Sequence, residues 1–437
     1  MSMKMRRTSA VLGTIAVGAL ALTACGGNAA DPAPTGEVEG EISYSFWGSP
    51  ARAEKVDAVI GLFETEFPDA SVSAEVAEYY AYVERLTVRA AGDDLACTSG
   101  MQSTFFATYA DNDVLLPLDE LIESGQIDTS DIPDDVMAAG QIDGKQYMIP
   151  TGTFVRLLAY NEELVKAAGA DAPDDDMTWE DWADWLHELQ DGLPEGVYAA
   201  ENDGGLMFTL TSWVIGHGET MFDDDGLAFS KETLAEYFQY WIDLADDGVA
   251  LPPASIPEQN GSLELTPIAL GKAATGTRDI PHLFIMEQAL AGNGQPSAVK
   301  SVSMPSETEA SANVLGSNGI SIPTSCDNVV TAAAFTDFFA NDPEAGLAFQ
   351  SDNGIVTNTA VQDSLLEDAN TPEGVKRNIT SLRTLTEAGD LTTSTYPEGL
   401  ATLSTELLRL YQSAAFGEIS VDDAVDEFFT SADSALN

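Results

Sequence analysis

Basic residues are scarce in this chain. Eighteen Lys and Arg stand against 72 Asp and Glu, for a formal net charge of −54. Such a field repels nucleic acid and anionic surfaces, and it disfavours a polyanionic substrate. Histidine is scarcer still. His187, His217 and His282 are isolated in sequence, so no His/Cys spacing suits zinc and no HExxH occurs. A GxSxG elbow, a P-loop and a GxGxxG turn are all missing. The acidic run Asp223-Asp224-Asp225-Gly226 lacks the full calcium-loop pattern and reads as a solvated turn. Neither a metal nor a cofactor is expected. Carboxylates are so abundant that naming any pair as a glycosidase acid and base carries no information.

Long apolar runs are missing beyond the N-terminus. There, Lys4, Arg6 and Arg7 precede an apolar stretch from Ala10 to Leu22. That is enough for the core of a signal peptide and too short to span a bilayer. The stretch ends Leu22-Thr23-Ala24-Cys25, followed by Gly26-Gly27. It resembles a bacterial lipobox, in which the Cys is lipidated and becomes the first mature residue. Residues 1–24 are expected to be a signal peptide, Cys25 a lipid-bearing (palmitoylated) anchor, and residues 25–40 a flexible tether rich in small residues. The mature chain is then extracytoplasmic and held at the cell membrane through its anchor alone. Cys97 and Cys326 remain. An even pair in an exported chain suits a disulfide, but their separation leaves the pairing open.

About 400 residues are left, enough for two lobes. Residues 41–47 alternate polar and apolar as a strand. Gly48-Ser49-Pro50 breaks it, and Val56, Ile60, Phe63 and Phe67 then recur at helical spacing. Residues 71–76 read as a second strand, 80–91 as a helix and 95–97 as a short third strand. This order implies parallel pairing and an α/β lobe. Residues 114–122 read as helix, and 144–150 and 155–160 as two strands. Thr178 and Asp181 form a capping-box variant, and Ser230 caps another helix. The C-terminal third reads as mostly helical.

Several segments together resemble the family 1 extracellular solute-binding proteins of ABC sugar importers, with maltodextrin-binding protein as a distant type. They are Phe46-Trp47-Gly48-Ser49-Pro50-Ala51-Arg52, Met101-Gln102, Tyr109-Ala110-Asp111 with Leu115-Leu116-Pro117-Leu118-Asp119, Ile149-Pro150-Thr151-Gly152-Thr153 leading to Tyr160-Asn161-Glu162-Glu163-Leu164, Thr178-Trp179-Glu180-Asp181-Trp182, Gly271-Lys272-Ala273-Ala274, and Gly319-Ile320-Ser321-Ile322-Pro323. Two stretches depart from the family pattern: Asp94-Leu95-Ala96-Cys97, and Thr277 to His282 where relatives commonly place a Trp. The resemblance implies a two-lobe periplasmic-binding-protein-like fold with a multi-crossover hinge near 150–153, 298–300 and 328–332. The N-terminal lobe would comprise 41–150 and 299–330, the C-terminal lobe 153–298 and 331–437. It also implies a monomer that is not an enzyme, and that captures a neutral oligosaccharide in the cleft for delivery to permease subunits. A secreted glycosidase and a binder of another ligand class remain as alternatives.

A sugar ring presents C–H faces and a rim of hydroxyls, so flat aromatics and planar polar groups bind it. Ligands in such sheets lie at the carboxyl ends of strands. By that position the candidates are Trp47, Arg52, Tyr79 and Gln102; the resemblance adds Phe154 and Arg156 after the first crossover, Arg278 and Asp279 in place of the expected aromatic, and Tyr396 near the family's last aromatic contact, and Trp213 and His217 join them from the segment 211–218. Nine of them have a plainer alternative: core packing for Trp47, Tyr79 and Trp213, solvated or edge positions for Arg52, Gln102, Arg156 and His217, and a mutual ion pair for Arg278 and Asp279. Trp179, Trp182, Trp185 and Trp241 sit at helical spacing and read as packing.

Overall fold

The computed structural model describes residues 34–437, apart from 224–225, 260–262, 395, 398 and 437. The expected signal peptide, Cys25 and much of the tether lie outside the described residues.

The first strand, β1 (Gly40–Trp47), buries Ile42, Tyr44 and Phe46. Ser49 then caps α1 (Pro50–Glu66) by accepting from the Arg52 amide, and Pro50 fits the first helical turn. β2 (Ala70–Ala77), α2 (Tyr79–Ala90) and β3 (Thr98–Gln102) follow. β1 pairs with both β2 and β3 in parallel, as right-handed strand–helix–strand units require. β3 lies just after the expected residues 95–97. Its sequence, Thr-Ser-Gly-Met-Gln, hides it, because small residues fit a strand covered on both faces. A Cβ on Gly100 would press on Trp47 at 3.3 Å.

β4 (Ile149–Asn161) is one strand of 13 residues where the sequence suggested two. The remaining strands of the main sheet, among the described residues, are β5 (Tyr198–Ala200), β6 (Ala273–Asp279), β7 (Val299–Val302), β8 (Val314–Ser321), β9 (Ile355–Val356) and β10 (Thr392–Thr393). Among the described residues the main sheet runs β2-β1-β3-β8-β4-β6-β5, with β7 and β9 on β4 and β10 on β8. β4 carries the chain between lobes. Residues up to Val155 pair with β8, and those from Arg156 pair with β6 and β7.

The second lobe is built on α3 (Trp179–Gly192), α4 (Met207–Gly216), α5 (Lys231–Asp246) and α6 (Ile280–Gly292). Thr178 and Asp181 complete the expected capping box on α3. Trp179, Trp182 and Trp241 join one core with Leu403, Leu407 and Phe428 of α10 (Leu400–Ala415) and α11 (Val421–Ala435), two helices that follow three others in the chain. Those three are α7 (Val329–Asn341), α8 (Pro343–Phe349) and α9 (Glu373–Ala388). They correct the expected lobe limits. Phe335, Phe338 and Phe339 of α7 pack with Ile42, Tyr44 and Phe63 in the first lobe, and Ile379 and Leu382 of α9 pack with Ile149 and Val155. The second crossing falls between β7, which pairs with the far half of β4, and β8. The third falls after β10 rather than near 330. Amphipathic helices fit either lobe equally well, so the sequence pattern could not assign these. Residues 114–122 also differ from expectation, with helix only over Asp119–Glu123.

Cys97 and Cys326 form a disulfide with Cα atoms 4.7 Å apart, joining the start of β3 to the segment after β8. In a Cys25→Ser protein denatured without reductant, thiol titration should find no free cysteine. Cys97→Ser should lower the unfolding free energy by ~2–5 kcal/mol, since the bond closes a long loop of the unfolded chain. Two titratable thiols in the denatured chain would contradict the bond.

Candidate functional site

A cavity of about 420 Å³ opens between the lobes at the carboxyl ends of β1, β3 and β6. Parallel strands present their loops there, which is why ligands of such sheets collect at this edge. Eight of the expected residues line it: Trp47, Arg52, Tyr79, Gln102, Phe154, Arg156, Asp279 and Tyr396.

Trp47 ends β1 and is held edge-on by Tyr79 at 5.8 Å and Phe105 at 6.1 Å. Phe154 comes from β4, and its ring lies over Gly316 of β8. Any Cβ at 316 would meet that ring at 2.4 Å. From the second lobe, Phe208 of α4 stands edge-on to Tyr396 at 5.7 Å. Burial pushes the Tyr396 hydroxyl up to about 12, so it stays protonated. Aromatic side chains therefore line the cavity from both sides and from the strand between.

The charged groups are paired with one another. Arg156 and Asp279 are register partners across β4 and β6. The guanidinium grips the carboxylate from Nε at 2.8 Å and Nη2 at 3.2 Å, and it lies 5.1 Å from the Phe208 ring. The Nη2–Oδ2 contact is a hydrogen bond, while the Nε–Oδ1 approach is an ion-pair contact without hydrogen-bond geometry. His282 Nδ1 lies 3.7 Å from Asp279 Oδ2. Burial lowers the His282 pKa against the opposing pull of Asp279, so the ring is neutral at pH 7.

Arg52 lines the cavity, but its guanidinium is committed to the protein. It donates to Asp352 Oδ1 at 2.7 Å, the Asp352 carbonyl at 2.9 Å, Asn353 Oδ1 at 3.0 Å and the Trp47 carbonyl at 3.0 Å. Lys55 holds the other Asp352 oxygen at 2.6 Å. Burial raises the Asp352 carboxyl, but hydrogen bonds and charge from Arg52 and Lys55 outweigh that and leave it below its usual range.

Three expected residues are elsewhere. Trp213 is 4% exposed in the second-lobe core, with Trp179 at 4.9 Å and Tyr240 at 5.2 Å. Its helix turns that face inward, while Phe208 on the same helix reaches the cavity. His217 stacks on Trp213 at 4.5 Å, and its Nδ1 meets the Trp213 carbonyl at 2.7 Å. Arg278 points to the face of β6 opposite Asp279, as neighbours on a strand must. It pairs there with fully buried Glu201 at 2.5 Å, so the mutual Arg278–Asp279 bridge does not form. Trp213→Ala should thus cost ~3–5 kcal/mol of stability, as other buried Trp truncations do, with ligand affinity little changed. Urea unfolding and calorimetry measure both. Lost affinity at unaltered stability would return Trp213 to the site.

Sequence reasoning missed Phe208, His282, Asn318 and the Asp352–Gly354 turn, all of which line the cavity. Phe208 shares a segment with Trp213, so helical phase could have offered it. The turn had no signal, because Arg52 and Asp352 lie 300 positions apart.

A family model described as bacterial extracellular solute-binding protein matches residues 58–380. The chain belongs to that family. Solved structures similar to this solute-binding protein include a family 1 extracellular solute-binding protein from Alicyclobacillus acidocaldarius, 20% identical, covering 92% of this chain and 100% of that one with a TM-score of 0.73. An ABC substrate-binding protein from Listeria monocytogenes in complex with cycloalternan is 20% identical, covers 91% and 98%, and has a TM-score of 0.73. The GacH receptor of Streptomyces glaucescens, solved unliganded and with acarbose, is 18% identical, covers 92% and 99%, and has a TM-score of 0.71. At these identities the likeness shows the two-lobe fold. Among the described residues, no helix of the solute-binding protein is long and apolar enough to cross a membrane.

Proposed function

We propose that this protein is a lipid-anchored, substrate-binding component of an ABC importer that captures a short neutral oligosaccharide and delivers it to a permease as a monomer. The observation that carries the reading is the cavity lining. Aromatic side chains come from both lobes, and its charges, Arg156 with Asp279 and Arg52 with Asp352, are internally balanced. Stacking faces suit pyranose rings, and balanced charge leaves nothing to attract an ionic ligand. The related structures with cycloalternan and acarbose bound support a saccharide. In the glycosidase reading one cavity carboxyl must stay protonated as general acid. Ion pairing at both Asp279 and Asp352 favours binding over hydrolysis.

Closure of the lobes completes this account. Trp47 on one side and Phe208 on the other can hold one ligand together only when the cleft is shut. The open–closed balance then shifts by that difference in contacts.

A thermal-shift screen tests the reading with maltose, cellobiose, trehalose, lactose, maltotriose and raffinose, set against glucuronate, amino acids and spermidine. A ligand that binds the folded state alone raises the melting point with concentration. A neutral sugar should do so. A response confined to the amino acids, spermidine or glucuronate would overturn the reading. For the anchor, Cys25→Ser should release the protein into the medium, and tight membrane retention of that variant would contradict it.

A further inference from the structure

Asn318 stands where the pairing of β8 with β4 slips, between Asn318 and Gly319. Such irregularities re-aim a side chain and cluster at functional sites. On its other edge β8 pairs with β3, and there Asn318 lies directly opposite Gln102. Opposed residues share a face, with Cβ atoms ~5 Å apart. Both line the cavity.

Neighbours fix which end of each amide is available. Asn318 Nδ2 donates to the Asn353 carbonyl at 2.9 Å. The opposite atom, Oδ1, is buried and meets no donor among the described residues, although Asn318 is only 7% exposed. Buried acceptors are nearly always satisfied, so this one requires an explanation. Gln102 is the complement. Its Oε1 accepts from Tyr79 at 3.0 Å and Thr104 at 2.9 Å, which commits the carbonyl and leaves the Nε2 hydrogens as its donors. An acceptor and a donor thus stand side by side.

We infer that Asn318 and Gln102 form a subsite that reads two adjacent free hydroxyls of one sugar ring. One hydroxyl donates to Asn318 Oδ1, and its neighbour accepts from Gln102 Nε2. An ether or a hydrogen at the first position supplies no proton to Asn318, so the subsite rejects O-methylated and deoxy rings there. Arg52 is a positioning residue for this subsite, because it holds Asn353, which in turn orients Asn318. Gly152 lets the Asn353 turn approach β4, since a Cβ at 152 would meet the Asn353 carbonyl at 2.2 Å.

The inference rests on the saccharide reading, and the test separates the two. The tightest of the six neutral sugars named above is titrated calorimetrically, together with its monodeoxy derivatives, into wild type, Asn318→Ala and Gln102→Ala. One monodeoxy sugar should bind wild type ~10- to 100-fold more weakly than its parent, as expected for an unmet buried acceptor. That penalty should largely vanish in Asn318→Ala. A merely structural Asn318 would weaken parent and derivative alike and keep the penalty. Should Asn318→Ala fold poorly, Gln102→Ala carries the same comparison for the neighbouring hydroxyl. Wild-type affinity in both variants, or an unchanged deoxy penalty, overturns the subsite while leaving the saccharide reading intact. If none of the six sugars binds wild type, the reading and the subsite fall together.

Discussion

Arg156→Ala is expected to weaken saccharide binding ~10- to 100-fold while the protein stays folded. Truncating one partner of a buried, hydrogen-bonded charge pair costs roughly 2–5 kcal/mol in an interface. The lower part of that range applies here, because the Arg156 and Asp279 side chains keep 19% and 10% of their exposure. The variant loses the planar guanidinium, leaves Asp279 facing the ligand without its partner, and uncovers the Phe208 ring. Arg156→Lys keeps the charge but not the planar guanidinium, so it should recover only part of the affinity. Calorimetry with the tightest neutral sugar reads both. Unchanged affinity in Arg156→Ala would remove the Arg156–Asp279 pair from the site.

Arg278→Ala should do the reverse, costing ~3–5 kcal/mol of stability by leaving a buried carboxylate without its counter-charge. Glu201 is fully enclosed. Its oxygens meet the Arg278 guanidinium and the Ile268 amide, and Asp203 nearby accepts from Thr277. Burial already raises the Glu201 carboxyl, and Arg278 opposes that rise. Without Arg278 the folded-state pKa moves further up, away from the unfolded value near 4.5. The folded variant then holds a proton that the unfolded chain releases, so its stability falls as pH rises above that value. The deficit should therefore be largest at neutral pH and shrink toward pH 4.5. Pairing the change with Glu201→Gln should restore part of the loss at pH 7. Urea unfolding at the two pH values checks the sign, and a deficit that grows on acidification would contradict the assignment.

These two arginines show how far the sequence could be read. Both lie near cleft-edge segments, and both were expected to touch ligand. A strand alternates its faces, so Asp279 reaches the cavity while Arg278 turns into the lobe. That distinction needs the phase of β6, which its buried, mixed sequence does not display. Trp47 and Gln102 were legible because they end strands, where the architecture puts ligands. Phe154 and Arg156 followed from the crossover, even though β4 proved continuous. The Asp352–Gly354 turn and Asn318 were illegible for another reason. Their roles arise from contacts between distant segments, and no local pattern records those. The lobe assignment of α7 to α9 failed likewise, since an apolar helix face does not say which sheet it covers.

The crystal structure of the protein with its tightest neutral sugar tests the central claim most directly. The account predicts one intact saccharide in the cavity, a ring against Trp47 or Phe154, hydroxyls on the Arg156–Asp279 pair, and the lobes closed around it. Density for the sugar away from these residues, or for cleaved product in the cleft, would contradict it.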